Sequence, residues 1–389
     1  MEKVRYGIVG VGTMGRTHAV KFMDGKVANS VLGAVCDIDP EKREWCKKNM
    51  PEIPCFDTAE EMFASGTCDA VVIAIPHYDH PGYAIKALEA GLHVMTEKPA
   101  GVYTKQVLEM NEAAKKSGKV FGIMFNQRSY AAHQKLRSLI RNGELGKIKR
   151  AVWVVDWYRP QAYHDSATWR STWATEGGGL LINQDPHQID LWQWLFGVPD
   201  RIMSHVGFGK YRDIEVEDEV IAYMEYKNGM NGVFISSSAQ SPSVNRLEIF
   251  CDRGVVTLEG GKINFRRNVI GEEEFNKNNT AIFGAPEAWN CEVPVPKKEE
   301  GHTAIFADFT KAILTGSELL APGYDGINET TISNAIHYSA WNDSIWVETA
   351  KFPHDEFYNM LQDKIKNSTV VKKENNASVD FTDFARSQN

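Results

Sequence analysis

The residues best equipped for chemistry are a set of glycines, a lysine and a histidine. Gly10-x-Gly12-x-x-Gly15 follows an apolar, β-rich segment, Val4–Val9, and opens a helical stretch running towards Met23. In that setting the first glycine permits a tight turn, the second lets backbone approach a pyrophosphate, and the third lets helix and strand pack closely. The free N–H groups and positive dipole end at the helix start suit phosphates. Away from a strand and a helix, the same glycines would be only a turn. Asp37 ends the following strand. A carboxylate there accepts hydrogen bonds from an adenosine ribose diol and repels a 2′-phosphate. Ile38 and Asp39 follow it, not Arg or Lys, so the charge balance favours NAD over NADP. Capping the turn before Pro40 is the other role open to Asp37.

Lys98, in Glu97-Lys98-Pro99, follows a short strand, His93–Thr96. Ligands bind at that end of parallel sheets. An ammonium there can stabilise a developing alkoxide, although a surface-loop lysine is the commoner case. His187 lies four residues after Asn183 on a predicted helix, Leu180–Phe196, so the two share a face. An imidazole titrates in the range needed for proton transfer near neutrality, whereas the Asn183 amide can only orient its neighbours. Pro186 inside that helix predicts a lost backbone bond or a kink. Aromatic and guanidinium side chains cluster between them in sequence, at Tyr158, Arg159, Tyr163, Trp169 and Arg170. The segment resembles those of enzymes that act on sugars and glycosides, where aromatic faces pack on the C–H surface of a ring while Arg and Tyr bind its hydroxyls. A structural aromatic loop has the same composition. Arg128 is a further candidate for a cofactor or substrate contact.

The elements that must position these groups fall into two patterns. Up to about Phe125, apolar strands alternate with helices. Ala70–Ile75 reads as a buried parallel strand, and Pro81–Ala90 and Gln106–Lys116 as helices. That is a doubly wound parallel sheet. Beyond it come helix Ala131–Arg141, strand Ile148–Tyr158, an irregular stretch from Arg159 to Glu176, and then several strands. These are Arg201–Gly207, Val220–Tyr226, Met230–Ser236, Arg246–Cys251 and Gly254–Leu258. Lys227-Asn228-Gly229 reads as a hairpin turn between two of them. Helices at Thr303–Leu314 and Gly326–Ser344 follow. The expected fold is α/β: an N-terminal Rossmann domain (1–126), an α/β domain with a large, mostly antiparallel open sheet (127–352), and a C-terminal arm or tail (353–389).

The net charge is −8 with no basic run, which argues against nucleic-acid and membrane-surface partners. No signal-peptide pattern or long apolar span stands out, so a cytoplasmic protein is expected. The cysteines Cys36, Cys46, Cys55, Cys68, Cys251 and Cys291 form no CxxC pair and read as reduced thiols, with no metal site expected.

Together, Gly7–Gly15, Ala74-Ile75-Pro76, Glu97-Lys98-Pro99 and Gly177–Asp190 resemble the glucose–fructose oxidoreductase/inositol dehydrogenase/rhizopine-catabolism (Gfo/Idh/MocA) family. The tripeptide combined with the downstream triple glycine and histidine is the specific part. The resemblance implies NAD held by Gly10, Gly12, Thr13, Met14, Gly15, Asp37, Ile75, Pro76, His80, Glu97 and Lys98. It implies a cis Lys98–Pro99 bond, Lys98 beside the nicotinamide, His187 as general acid/base, and a homo-oligomer. Many members carry aspartate where this chain has Asn183, which implies that His187 works alone or with Lys98. Asp185 stands where a small residue is common. The expected activity is hydride transfer at a secondary hydroxyl of a sugar, with C3 of an O- or C-glucoside the narrowest reading. Inositol dehydrogenase, a glycoside hydrolase acting through transient oxidation, and a sugar-sensing regulator are the alternatives. A regulator would be expected to lack Lys98 and His187.

Overall fold

The computed structural model describes residues 2–370. The first unit contains β1 (Val4–Val9), α1 (Thr13–Met23), β2 (Ser30–Cys36), α2 (Pro40–Asn49), β3 (Cys55–Phe56) and α3 (Ala59–Ala64). It continues through β4 (Ala70–Ile73), α4 (His80–Glu89), β5 (His93–Thr96), α5 (Thr104–Ser117) and β6 (Phe121–Ile123). Its strands pair in parallel in the order β3-β2-β1-β4-β5-β6. Every residue of β4 is buried, as a strand covered by helices on both faces requires. The order reverses between β1 and β4, and a crevice opens at the carboxyl ends of the strands beside such a switch point.

The second unit begins with α6 (Ala131–Arg141), β7 (Ile148–Asp156) and a short helix, α7 (Gln161–His164). Then come a π-helical turn at Leu180–Gln184, α8 (Pro186–Phe196), β8 (Arg201–Phe208), β9 (Glu217–Glu225) and β10 (Asn231–Ser237). The chain goes on through β11 (Asn245–Cys251), β12 (Gly254–Glu259), β13 (Lys262–Asn268), α9 (Glu272–Asn278) and β14 (Ala288–Val293). It ends with α10 (Gly301–Thr315), α11 (Gly326–Trp341), β15 (Val347–Glu348) and α12 (His354–Lys366). Among the described residues the second sheet runs β14-β13-β12-β11-β7-β10-β9-β8-β15 and is antiparallel except for the β7–β10 pair. β9 and β10 are joined at Lys227-Asn228-Gly229, where the turn was expected. In β9, Val220, Ala222 and Met224 are buried whereas Ile221 is 43% exposed, so helices cover one face and the other stays open.

Three expectations change. The stretch from 353, expected as a peripheral arm or tail, is not peripheral up to Lys366, because α12 buries Phe357 and Leu361 in the second core; the remainder of that expected tail, 371–389, lies outside the described residues. Residues 301–315 fall in the segment expected to form the second domain. Instead α10 packs Ile305, Phe306 and Phe309 into the first core, and Thr310 meets the Tyr6 hydroxyl at 2.7 Å. The irregular 159–176 stretch contains the one-turn helix α7.

Phe309→Ala should therefore weaken the nucleotide-binding half, although it lies near residue 300. The expected loss is about 3–5 kcal/mol, read as a lower urea midpoint of unfolding followed through dinucleotide binding.

Candidate active site

The glycine turn lies between β1 and α1 as expected. Gly10 has φ +87°, and a Cβ there would lie 2.5 Å from the Ala74 carbonyl oxygen and 2.7 Å from the Ile75 side chain. The β4 end, Ala74-Ile75-Pro76, thus presses on the turn. Gly12 has no atom within 4 Å of where its Cβ would be, and neither a capping side chain nor an acid occupies the first turn of α1, where Thr13 and Met14 lie. Open space, free N–H groups and the helix dipole fit a dinucleotide pyrophosphate. Asp37 accepts from the Val11 amide at 2.7 Å and from the Asp39 amide at 2.9 Å. Its carboxylate therefore does cap the turn, with acceptor sites left for a ribose.

Lys98 follows β5, and its peptide bond to Pro99 is cis. Its Nζ donates to the Asn183 carbonyl at 2.6 Å, bridging the two halves of the chain. Burial lowers the Lys98 pKa, while Glu97 and Glu176 work against that shift. His187 sits on the first turn of α8. Burial first, then repulsion from Lys98, lowers its pKa to about 3, so the ring is neutral at ordinary pH. Its Nδ1 has no hydrogen-bond partner. Pro186 does break the helix: Asp185 donates to Leu180, five residues back, and α8 starts afresh at Pro186. The pair at 183 and 187 is thus split between a π turn and an α-helix.

Glu217 on β9 holds this turn from below. Its Oε1 accepts from the amides of Gly179 and Leu181, at 2.8 and 2.9 Å, and its Oε2 lies 3.0 Å from His337. A Cβ at Gly179 would lie 2.2 Å from the Glu217 carbonyl oxygen, so the triple glycine is what lets turn and strand meet.

Asn183 is gripped by two residues. Its Nδ2 donates to Glu176 at 2.5 Å and to the Tyr163 hydroxyl at 3.3 Å. That hydroxyl also receives Arg170 at 2.7 Å and Gln184 at 3.1 Å. The Arg170 guanidinium lies 4.4 Å from the centres of both the Tyr163 and Trp169 rings, and Arg159 lies 5.2 Å from Tyr163. These four side chains form one wall beside Asn183.

Other candidates lie elsewhere. Arg128 is 1% exposed, its guanidinium held by Asp190, Asp325 and the Leu320 carbonyl, so it ties elements together in the interior. His80 is also turned inwards, its nitrogens 2.8 Å from the Pro99 carbonyl and 2.7 Å from that of Ile75. It clamps the two loops and leaves no ring nitrogen for a cofactor. The Glu97 carboxylate points into α1, 2.5 Å from His18; burial opposes its charge, but His18 and His302 hold its pKa down at about 2. Tyr158 is exposed, its ring against the Arg212 guanidinium. Asp185 faces Trp157, whose indole donates to it at 2.9 Å, and Ser236 of β10.

The residues missed in sequence are Glu176, 2% exposed, and Glu217, 1% exposed. Glu176 directly precedes the triple glycine, and that adjacency was the available signal. It changes one expectation, because a carboxylate does reach the 183 position, from a neighbour. Among the described residues no group of three or more His, Cys, Asp or Glu is placed to hold a metal, and no helix is long and apolar enough to cross a membrane.

Comparison with known proteins fits this geometry. Residues 4–125 match the model "Oxidoreductase family, NAD-binding Rossmann fold", and residues 133–257 match the "GFO/IDH/MocA C-terminal domain". The chain belongs to the Gfo/Idh/MocA family. It is an oxidoreductase with an NAD-binding Rossmann domain. It is 28% identical over 201 residues to an uncharacterized oxidoreductase, YdgJ, of Escherichia coli, covering 51% of this chain and 55% of the relative. It is 27% identical over 244 residues to the D-glucoside 3-dehydrogenase of the same organism, covering 58% and 68%. The matched stretch thus spans little more than half the length of the first of these relatives. The WlbA dehydrogenase of Bordetella pertussis, solved with NADH and UDP-GlcNAcA, superposes with a TM-score of 0.73 at 26% identity, covering 89% of this chain and 98% of that one.

Two outcomes follow. Burial pushes Asp185 up to about 8. The folded state therefore holds a proton that the unfolded chain releases at a lower pH, and the associated stability is lost as pH rises through about 8. Asp185→Asn keeps an acceptor for the Trp157 indole and should flatten that decline by at least about 1 kcal/mol, measured as unfolding midpoints at pH 5 and 9. Gly179→Ala should cost activity and stability together, read by melting temperature and turnover.

Proposed function

We propose that this enzyme moves hydride between NAD and a secondary ring hydroxyl of a sugar, with C3 of a glucoside as the site of oxidation. The observation that carries this reading is the meeting of Lys98 with the Asn183 turn and His187, beside a wall of Trp169, Arg170, Tyr163 and Arg159. Aromatic faces and guanidinium donors side by side suit a polyol ring with apolar C–H faces and equatorial hydroxyls. The likeness to a D-glucoside 3-dehydrogenase supports the choice of carbon.

Bound at the glycine turn, with Asp37 at its ribose, NAD supplies the hydride acceptor. The protein's own groups handle the proton. Lys98 and His187 repel each other, so together they hold one proton more readily than two. An alkoxide-like charge developing between them offsets that repulsion. Transfer of the hydroxyl proton to His187 is thereby coupled to charge development that Lys98 stabilises. Asn183 orients the hydroxyl. In the reverse direction His187 returns the proton.

His187→Ala and Lys98→Ala should each lose at least about 100-fold in kcat while still binding NADH, and Asn183→Ala should lose less. The check is steady-state kinetics on a panel of glucosides, free sugars and inositols, with product mass as well as absorbance, paired with NADH titration of each variant. Normal turnover by His187→Ala would show that the proton acceptor is another group. Sugar released from a glycoside without net NADH would mark a hydrolase. Asp37→Ala should relax rejection of NADP; a wild type preferring NADP would end the ribose assignment.

We also propose self-association through the open face of the second sheet, where Ile221 is exposed. Light scattering should give a dimer or larger assembly, and a monomer mass over a wide concentration range would refute it.

A further inference from the structure

Glu176 is a buried carboxylate that the reaction as described does not use. It lies directly before the triple glycine, and each of its oxygens has one donor. Oε1 accepts from Asn183 Nδ2, and Oε2 from the Ser171 amide, both at 2.5 Å. Lys98 is close enough to feel its charge. Three groups therefore meet in a chain: Lys98 Nζ on the Asn183 carbonyl, the Asn183 side chain on Glu176, and Glu176 back near Lys98.

We propose that Glu176 is a positioning residue, fixing the side-chain amide of Asn183 so that Oδ1 faces the reacting hydroxyl. The proposal rests on the reading of this cleft as a hydride-transfer site. Its physical basis is the donor and acceptor inventory. An ionised carboxylate can only accept, so it requires the NH2 end of the amide. The second neighbour of Nδ2, the Tyr163 hydroxyl at 3.3 Å, already receives Arg170 and Gln184, which take its two lone pairs, so the short contact with Glu176 decides which way the amide turns. With its NH2 held by Glu176, the amide has one end left, an acceptor, for a substrate O–H. A protonated Glu176 could donate to Oδ1 instead, and the amide would be free to turn over.

The surroundings put that switch near neutrality. Burial raises the Glu176 pKa to about 7, with like charge from Glu217 of β9 acting in the same direction. Arg170, the Ser171 amide and Asn183 oppose it. Lys98, at the end of β5, favours the ionised form in turn, and the His77 ring, from the turn after β4, lies 3.2 Å from the Glu176 backbone carbonyl. Raising pH should therefore ionise Glu176 and lock the amide in its working orientation.

The test joins kinetics with a measurement that needs no turnover. In deuterated full-length protein with 15N-labelled asparagine, the Asn183 side-chain amide signal is assigned by its loss in Asn183→Asp. It should move in one step near pH 7 in the wild type, lose that step in Glu176→Gln, and regain a step in Glu176→Asp. In parallel, Glu176→Gln should lower kcat about ten-fold to 100-fold, with the KM for NAD within about two-fold. The limb of kcat/KM that rises with pH should vanish in that variant, and Glu176→Asp should recover part of both. An amide step that persists in Glu176→Gln, or a kcat and pH profile unchanged from wild type, would overturn the assignment. If the wild type oxidised nothing in the panel while the amide followed Glu176 as described, the hydride-transfer reading would fall and the hold of Glu176 on Asn183 would stand.

Discussion

Much of this structure depends on one partly buried ammonium, that of Lys98. Lys98 follows β5 and donates a hydrogen bond to a carbonyl of the second domain. A charge taken from water needs a partner close by, so the two halves are fixed with Lys98 against the Asn183 turn. The surrounding elements serve that meeting. His80 clamps the loop that carries Lys98 to the end of β4, and Glu97 turns away to anchor it on α1 through His18. On the other side Glu217 holds the triple-glycine turn by its amides. Arg128, bound to Asp190 of α8 and to Asp325 ahead of α11, fixes the base of the same helix.

Burial affects the acids here in opposite ways, and the partner decides which. Glu97 is buried against a histidine and stays ionised. Asp185 and Glu329 are equally buried, but their partners are an indole and hydroxyls, and both are pushed up to about 8. Glu176, with a guanidinium nearby but a second carboxylate in range, falls between. Hydrogen bonds from neutral donors lower the cost of a buried charge without cancelling it; a cationic partner can. The carboxyls buried around the cleft therefore differ in protonation state.

The Rossmann half was legible because its signals are local. A strand, a glycine turn and an acid at the next strand end are all within about forty residues, and parallel strands read as unbroken apolar runs. The pairing of Lys98 with the 183–187 segment was legible only through the family pattern, since nothing in residue spacing brings two domains together. Arg128 misled because an arginine near a predicted cleft reads as a ligand group, and its carboxylate partners lie far along the chain. Glu176 and Glu217 were missed for the complementary reason: a lone glutamate in sequence looks solvated, and burial is a tertiary fact. The π turn could be anticipated only as a disruption at Pro186. β13 does alternate, with Ile263 and Phe265 buried between exposed Lys262, Asn264 and Arg266, but only two apolar positions carry the pattern; in β14 only Cys291 and Val293 turn inward, which leaves little alternation to read.

The seating of α10 on the first core has a consequence for how the chain is made. When a ribosome has released the glycine turn and all six parallel strands, the surface that receives Ile305, Phe306 and Phe309 is still bare. At typical synthesis rates it stays so for roughly 10–40 s while the second sheet emerges. The nascent first domain must wait with an apolar face open, where a holdase can bind and a neighbouring nascent chain can stick. The order of the gene therefore makes the last third of the protein a chaperone for the first.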